Sequence, residues 1–222
     1  MAALRLTLPP LPAPKNAKAM AELRALTRGA VLGALALTVI ASSAMFTVFT
    51  YIAPILQKAT QASSAFVTAM LFTYGVGLTI GNWLGGRFAD RSVDRTLIVT
   101  LASLSAVLVG FAILMGHAAA SAVLIFLWGI ASFALVPPLQ VRVMSAASDA
   151  PNLASAVNIG AFNLGNAFGA ALGGGVIAAG LGYPMVALAG ALTSAAGLVA
   201  VIISMGHAAR SDRLRLGTQT GR

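Results

Sequence analysis

Four long stretches of this chain contain no Asp, Glu, Lys or Arg. They separate Arg28 from Lys58 (29 residues), Lys58 from Arg87 (28), Arg95 from Arg142 (46) and Asp149 from Arg210 (60). A helix needs about 20 consecutive apolar residues to cross a bilayer. Each of the first two stretches therefore holds one span with its interfacial turns. The other two are too long for one span and suit a pair. Their breaks fall where glycine and proline collect, at Gly116-His117 and at Gly180-Leu181-Gly182-Tyr183-Pro184. The spacing predicts six spans, near residues 29–52, 64–87, 96–115, 119–139, 153–178 and 184–206. Residues 1–28 are left as a proline-rich, basic linker and 207–222 as a basic tail.

Hydrophobic residues make up 59% of the 222 positions, charged residues 9%, and the mean hydropathy is +0.91. Soluble domains carry about a quarter charged residues, so an all-α membrane protein with lipid as its main neighbour is expected. The net charge of +9 arises from 14 Lys and Arg against 5 Asp and Glu. In a soluble protein that excess would suggest nucleic acid; here the bases border apolar runs and report orientation instead. With both ends cytoplasmic, 13 of the 14 bases lie inside and only Lys58 lies outside. The first 28 residues do not form a secretory signal, because Pro9, Pro10, Pro12 and Pro14 precede the basic cluster. They read equally as a linker against the cytoplasmic leaflet or as an ordinary tail.

Two glycine stripes at four-residue spacing stand out: Gly77, Gly81 and Gly85 in the second span, and Gly165, Gly169 and Gly173 in the fifth. Small residues so placed let helix backbones approach closely. The two stripes occupy the middle helices of consecutive triplets that cross in opposite directions, as an inverted 3+3 repeat requires.

The fifth span is also the most polar. Ser155, Asn158, Phe162, Gly165, Asn166, Gly169 and Gly173 share one face, with Ile159, Leu164, Ala167 and Phe168 off it. Amides in hydrocarbon need partners, so this face either joins helices or borders a substrate path with Asn158 and Asn166 as donors and Phe162 as a wall. Asn163 lies round the helix, where a structural role is expected. Phe49 in the first span and Trp128 in the fourth complete the candidate cavity, while Trp83 reads as an interfacial anchor. All five acids fall at the cytoplasmic side, so no mid-membrane group offers a proton relay. Neither an enzyme motif nor a metal or cofactor site is expected. Absence of cysteine excludes disulfides and thiolate ligands.

The loop from Gly86 to Arg95, GRFADRSVDR, resembles the cytoplasmic loop signature G-x-L-A-D-R-x-G-R-K of the major facilitator superfamily. Gly86, Ala89, Asp90, Arg91 and Arg95 match; Phe88 is a mild change, and Val93 and Asp94 depart. LASAVNIGAFNLGNAFGAALGG, from Leu153 to Gly174, is similar to the penultimate helix of arabinose-efflux-type members of the drug:proton antiporter group. With Tyr51-Ile52-Ala53-Pro54 closing the first span, the likeness covers Ala19 to Met205. It implies twelve helices in two bundles, a small-molecule substrate between them, and alternating access with proton exchange in the plasma membrane, a bacterium's inner membrane. This chain would be the C-terminal bundle, with Gly86, Asp90, Arg91 and Arg95 at the gate and Asp90 facing a helix N-terminus of the other bundle. The alternatives are pairing with a second copy, or a six-helix protein that no longer transports and serves as a partner scaffold.

Overall fold

The structure, a computed structural model, describes residues 19–219, and for 19–21 and 207–219 the backbone alone. The proline-rich start, with Lys15 and Lys18, and the final residues 220–222 lie outside the described residues. Helices in chain order are α1 (Ala19–Leu26), α2 (Gly29–Phe49), α3 (Ile52–Ala59), α4 (Ser64–Ala89), α5 (Val93–Leu114), α6 (Ala118–Phe133), α7 (Val136–Ala146), α8 (Pro151–Ala178) and α9 (Tyr183–Gln219). Among the described residues they compose six apolar helical segments long enough to cross a membrane: Gly29–Ala59, Ser64–Ala89, Val93–Leu114, Ala118–Ala146, Pro151–Ala178 and Tyr183–Gly206. These are spans 1 to 6 below.

The ends of spans 1 and 4 differ from expectation. Each runs on past a break, span 1 to Ala59 instead of residue 52 and span 4 to Ala146 instead of 139. Pro54 and the Pro137-Pro138 pair sit in the first turns of α3 and α7, where the missing N–H has no intrahelical partner to lose. Proline restarts the helix here instead of ending it. Elsewhere the punctuation is local. Ser63 and Ser92 cap spans 2 and 3 by accepting from the N–H of Phe66 and Arg95. Gly180 and Gly182 take φ of 73° and 82° between spans 5 and 6, a left-handed turn that L side chains resist.

Apolar contact alone gives no preference for protein over lipid, so helix association in a membrane rests on close packing and hydrogen bonds. Both glycine stripes supply the first. A Cβ on Gly77 would sit 2.6 Å from the Phe126 carbonyl oxygen; on Gly81 and Gly85 it would strike the backbone of Ile130 and Ala134. Span 2 thus lies flush on span 4. Gly165, Gly169 and Gly173 do the same against span 1, meeting Val39 and Ser42, Ser43 and Thr47, and Thr47 and Tyr51. Spans 3 and 6 form the third tight pair. Leu97, Leu101, Leu104 and Leu108 are wholly buried along span 3; Ser194 of span 6 donates to the Leu101 carbonyl at 2.9 Å, and Ser105 returns to that of Ala191 at 3.0 Å.

These pairings (1 with 5, 4 with 2, 3 with 6) are unchanged when the two triplets are exchanged. The breaks obey the same exchange, with Pro54 after span 1's turn answered by Pro138 after span 4's. The fold is an all-α membrane bundle built as an inverted 3+3 repeat.

A candidate substrate cavity and a cytoplasmic-signature loop

Spans 1, 2, 4 and 5 converge on a set of aromatic rings. Phe49 stacks on Tyr74 at 5.2 Å between centroids, Tyr74 lies 4.6 Å from Trp128, and Phe111 of span 3 backs Trp128 at 6.4 Å. Phe46 extends the set edge-on, 5.4 Å from Phe49 and 6.2 Å from Phe162 of span 5. Such offset and edge geometries align ring edges with ring faces and fix the side chains. Trp128 is 1% exposed, whereas Phe49 and Phe162 are half-buried and form the open side of the cluster.

Three polar atoms of this region have no hydrogen-bond partner among the described residues: Trp128 Nε1, Ser132 Oγ one turn further along span 4, and Asn166 Oδ1 on span 5. Unpaired buried polar atoms are uncommon because each forfeits its solvation without return. The Asn166 residue is itself only half-buried, on the same face of span 5 as Phe162.

Asn158 is placed differently. It is 5% exposed, its Oδ1 accepts from the Thr38 hydroxyl at 2.8 Å, and its Nδ2 donates to Gln140 Oε1 at 2.6 Å. Gln140 Nε2 then donates to Ser155 Oγ at 2.6 Å. This chain of bonds ties span 1, the restarted helix α7 and span 5 together, and it uses both ends of the Asn158 amide. Gln140 escaped the sequence reading; its signal was a lone amide near the end of an otherwise apolar interval. Tyr51, read from the sequence only as part of the motif closing span 1, donates its hydroxyl to the Ala170 carbonyl at 2.8 Å. Asn163, placed round the helix by the sequence, is exposed.

The loop after span 2 lies at the end of the bundle where most charges collect. Asp90 closes span 2, its N–H donating to the Gly86 carbonyl at 3.1 Å, and its side chain is exposed. Arg91 and Arg95 are exposed too, and among the described residues no hydrogen bond or ion pair engages the side chain of any of the three. Gly86 has open space around it, unlike Gly85 beside it. Asp94, which departs from the signature, is the engaged acid. It pairs with Arg142 of span 4, and Arg142 donates its other nitrogen to Ser204 of span 6 at 2.7 Å. That contact crosses three spans beside a cavity of about 740 Å³ whose walls include Gly33, Leu37, Asp94, Arg142 and Ser204.

A second pair joins Arg28, at the head of span 1, to Asp149 in the turn before span 5. The guanidinium's hydrogen bonds hold the Asp149 carboxyl below its ordinary range, and the same bonds raise Arg28. Both side chains are about half exposed, so solvent screens this pair. Trp83 is 62% exposed, with the Arg87 guanidinium 5.8 Å above its ring, an arrangement suited to an interface. Among the described residues, no group of acids and histidines is arranged to hold a metal ion.

The family model described as Major Facilitator Superfamily matches residues 11–218. The chain is 50% identical over 204 residues to the inner membrane transport protein YdhP of Escherichia coli K12, covering 92% of this chain and 52% of that protein. It is 36% identical over 169 residues to the uncharacterized MFS-type transporter YfhI of Bacillus subtilis, covering 76% and 43%. A protein of Pasteurella multocida named "Probable sugar efflux transporter" is 34% identical over 198 residues, covering 88% and 48%. The chain thus spans about half the length of the relatives it matches.

Proposed function

We propose that this chain, which belongs to the Major Facilitator Superfamily, supplies the C-terminal six-span bundle of an inner-membrane efflux transporter for sugars or small amphipathic compounds. Its substrate path runs along the open side of the aromatic cluster. Phe49 and Phe162 are the apolar walls and the unpaired Asn166 carbonyl is the acceptor that orients a substrate hydroxyl. Trp128 and Asn158 stand behind them: the ring supports Phe49 through Tyr74, and the amide network fixes span 5 against span 1. The observation that carries this reading is the Asn166 oxygen, buried without a partner on a half-buried residue one turn from Phe162. A binding site for polyhydroxylated molecules needs that mixture of apolar surface and a few convergent polar atoms.

The bundle would work with a second six-span half by rocking about the path between them. Coupling to protons would then depend on that half, since the six spans contain no membrane-embedded Asp or Glu beyond Asp94 at the mouth of span 3. Gly86, Asp90, Arg91 and Arg95 would act at the cytoplasmic gate, with Asp90 directed at a helix N-terminus of the other half. In this reading both chain ends are cytoplasmic and residues 1–28 join the halves.

The test is Asn166→Leu in the transporter that contains this bundle, with efflux activity assayed as sugar uptake into inverted vesicles alongside membrane insertion. Efflux is expected to fall at least tenfold, the effect of about 1.4 kcal/mol lost from substrate recognition, with insertion unchanged. Full efflux with Asn166→Leu would remove the residue from the path, and with it the observation on which the reading stands.

A further inference from the structure

Two openings meet on the outer surface of spans 2, 3 and 4. One, of about 330 Å³, includes Phe88, Arg91, Ser92 and Arg95 around its mouth at the charged end of the bundle. The other, of about 440 Å³, is apolar, running between Leu84, Val107, Leu127 and Ile130. Phe88, Val99 and Thr100 line both, so they form one groove with a cationic mouth. Phe88 and Val99 are 46% and 62% exposed, which leaves the groove open to the surroundings of the bundle.

We infer that this groove is a binding site for an anionic phospholipid, with its phosphate held by Arg91 and Arg95 and one acyl chain laid along span 3. Length supports the acyl part. From Arg95 to Val107 a helix rises about 18 Å at 1.5 Å per residue, and one leaflet of the hydrocarbon core is about 15 Å, half of its roughly 30 Å thickness. A groove of that reach matches a chain in a single leaflet.

Charge supports the headgroup. The lining holds two guanidinium groups and no carboxylate. Asp94 is turned away into its pair with Arg142, and Asp90 is not part of the lining. A phosphate therefore meets two charge-assisted donors, while the ammonium of a zwitterionic lipid meets no acid. Ser92 adds a third donor: its oxygen accepts from the Arg95 N–H, which leaves its own O–H to give. Thr96 and Thr100 already spend their hydroxyl protons on the Ser92 and Thr96 carbonyls and act only as wall. Basic pockets between spans at the cytoplasmic face attract anionic lipid for this reason. The inference needs membrane insertion and does not rest on the transport reading.

The test is native mass spectrometry of the purified chain in detergent, titrated with phosphatidylglycerol and phosphatidylethanolamine of identical acyl chains, and separately with glycerol 3-phosphate. Phosphatidylglycerol is expected to bind on the order of tenfold more tightly than phosphatidylethanolamine, and glycerol 3-phosphate should not displace it. Changing Arg91→Gln together with Arg95→Gln should erase the preference, whereas Arg87→Gln, whose cation covers Trp83, should retain it. Ala106→Phe, which fills the groove, should weaken both lipids equally. Equal affinity for the two lipids, or a preference that survives loss of both arginines, would overturn the site. Displacement by glycerol 3-phosphate would reduce it to an anion pocket and overturn the lipid assignment.

Discussion

Gly81 of span 2 and Gly169 of span 5 occupy the same place in the two halves of the bundle. A Cβ on the first would run into the backbone of Ile130 in span 4, and on the second into that of Ser43 and Thr47 in span 1. The neighbours are backbone atoms, which cannot yield as a side chain tip can. Gly81→Ala and Gly169→Ala should each push a helix pair apart and cost about 1–3 kcal/mol. Gly160→Ala and Gly175→Ala, with open space around them, should be neutral or slightly stabilising. Resistance to unfolding by sodium dodecyl sulfate in mixed micelles separates the two classes; equal behaviour of all four variants would contradict the close-approach account.

Removing the Asn158 side chain leaves Gln140 Oε1 without its donor and the Thr38 hydroxyl with only its longer bond to the Ala34 carbonyl at 3.3 Å. Interhelical hydrogen bonds in membranes average about 0.6 kcal/mol and reach about 1.7. Loss of two from one buried amide should place Asn158→Ala at about 1–2 kcal/mol of destabilisation, with Thr38→Val smaller and the two effects less than additive. Unfolding of the single and double variants in the same micelles measures this coupling. Strict additivity would mean that the 2.8 Å bond between Thr38 and Asn158 contributes nothing.

The number of spans and the face of each middle helix could be read from the chain because both depend on local rules. Charges cannot sit in hydrocarbon without help, so Arg28, Lys58 and Arg87 bracket spans 1 and 2 wherever the rest of the protein lies. The glycine stripes carry their spacing on their face. What they pack against does not appear in that spacing: Gly85 meets Ala134, far along the chain. Pro54 was read as closing span 1 because proline stops a helix from the inside, while its tolerance in a first turn depends on where the preceding helix releases the chain. The partner of Asp94 was hidden for another reason. Arg142 looked like one more base at a span end, and only the meeting of spans 3, 4 and 6 makes the two a pair. Among the candidate cavity residues, Asn158 and Asn166 look alike in sequence; what separates them is a neighbour, Gln140, delivered by the restarted helix α7.

Orientation can be checked directly because the chain has no cysteine. Single cysteines placed at Lys58 and at Ser148 should respond oppositely to a membrane-impermeant maleimide. In intact cells Lys58→Cys should label, and Ser148→Cys should label only after permeabilisation. The reverse pattern would invert the proposed topology and put the Gly86–Arg95 loop outside.

The claim that this bundle is one half of a working transporter is tested most directly by reconstitution. Vesicles would receive this chain alone, or the same chain joined to the proposed second six-span half, and be loaded with labelled sugar under an imposed pH gradient. Efflux is predicted only from the joined protein, abolished when the gradient is collapsed. Gradient-driven efflux from vesicles that hold this chain alone would contradict the account.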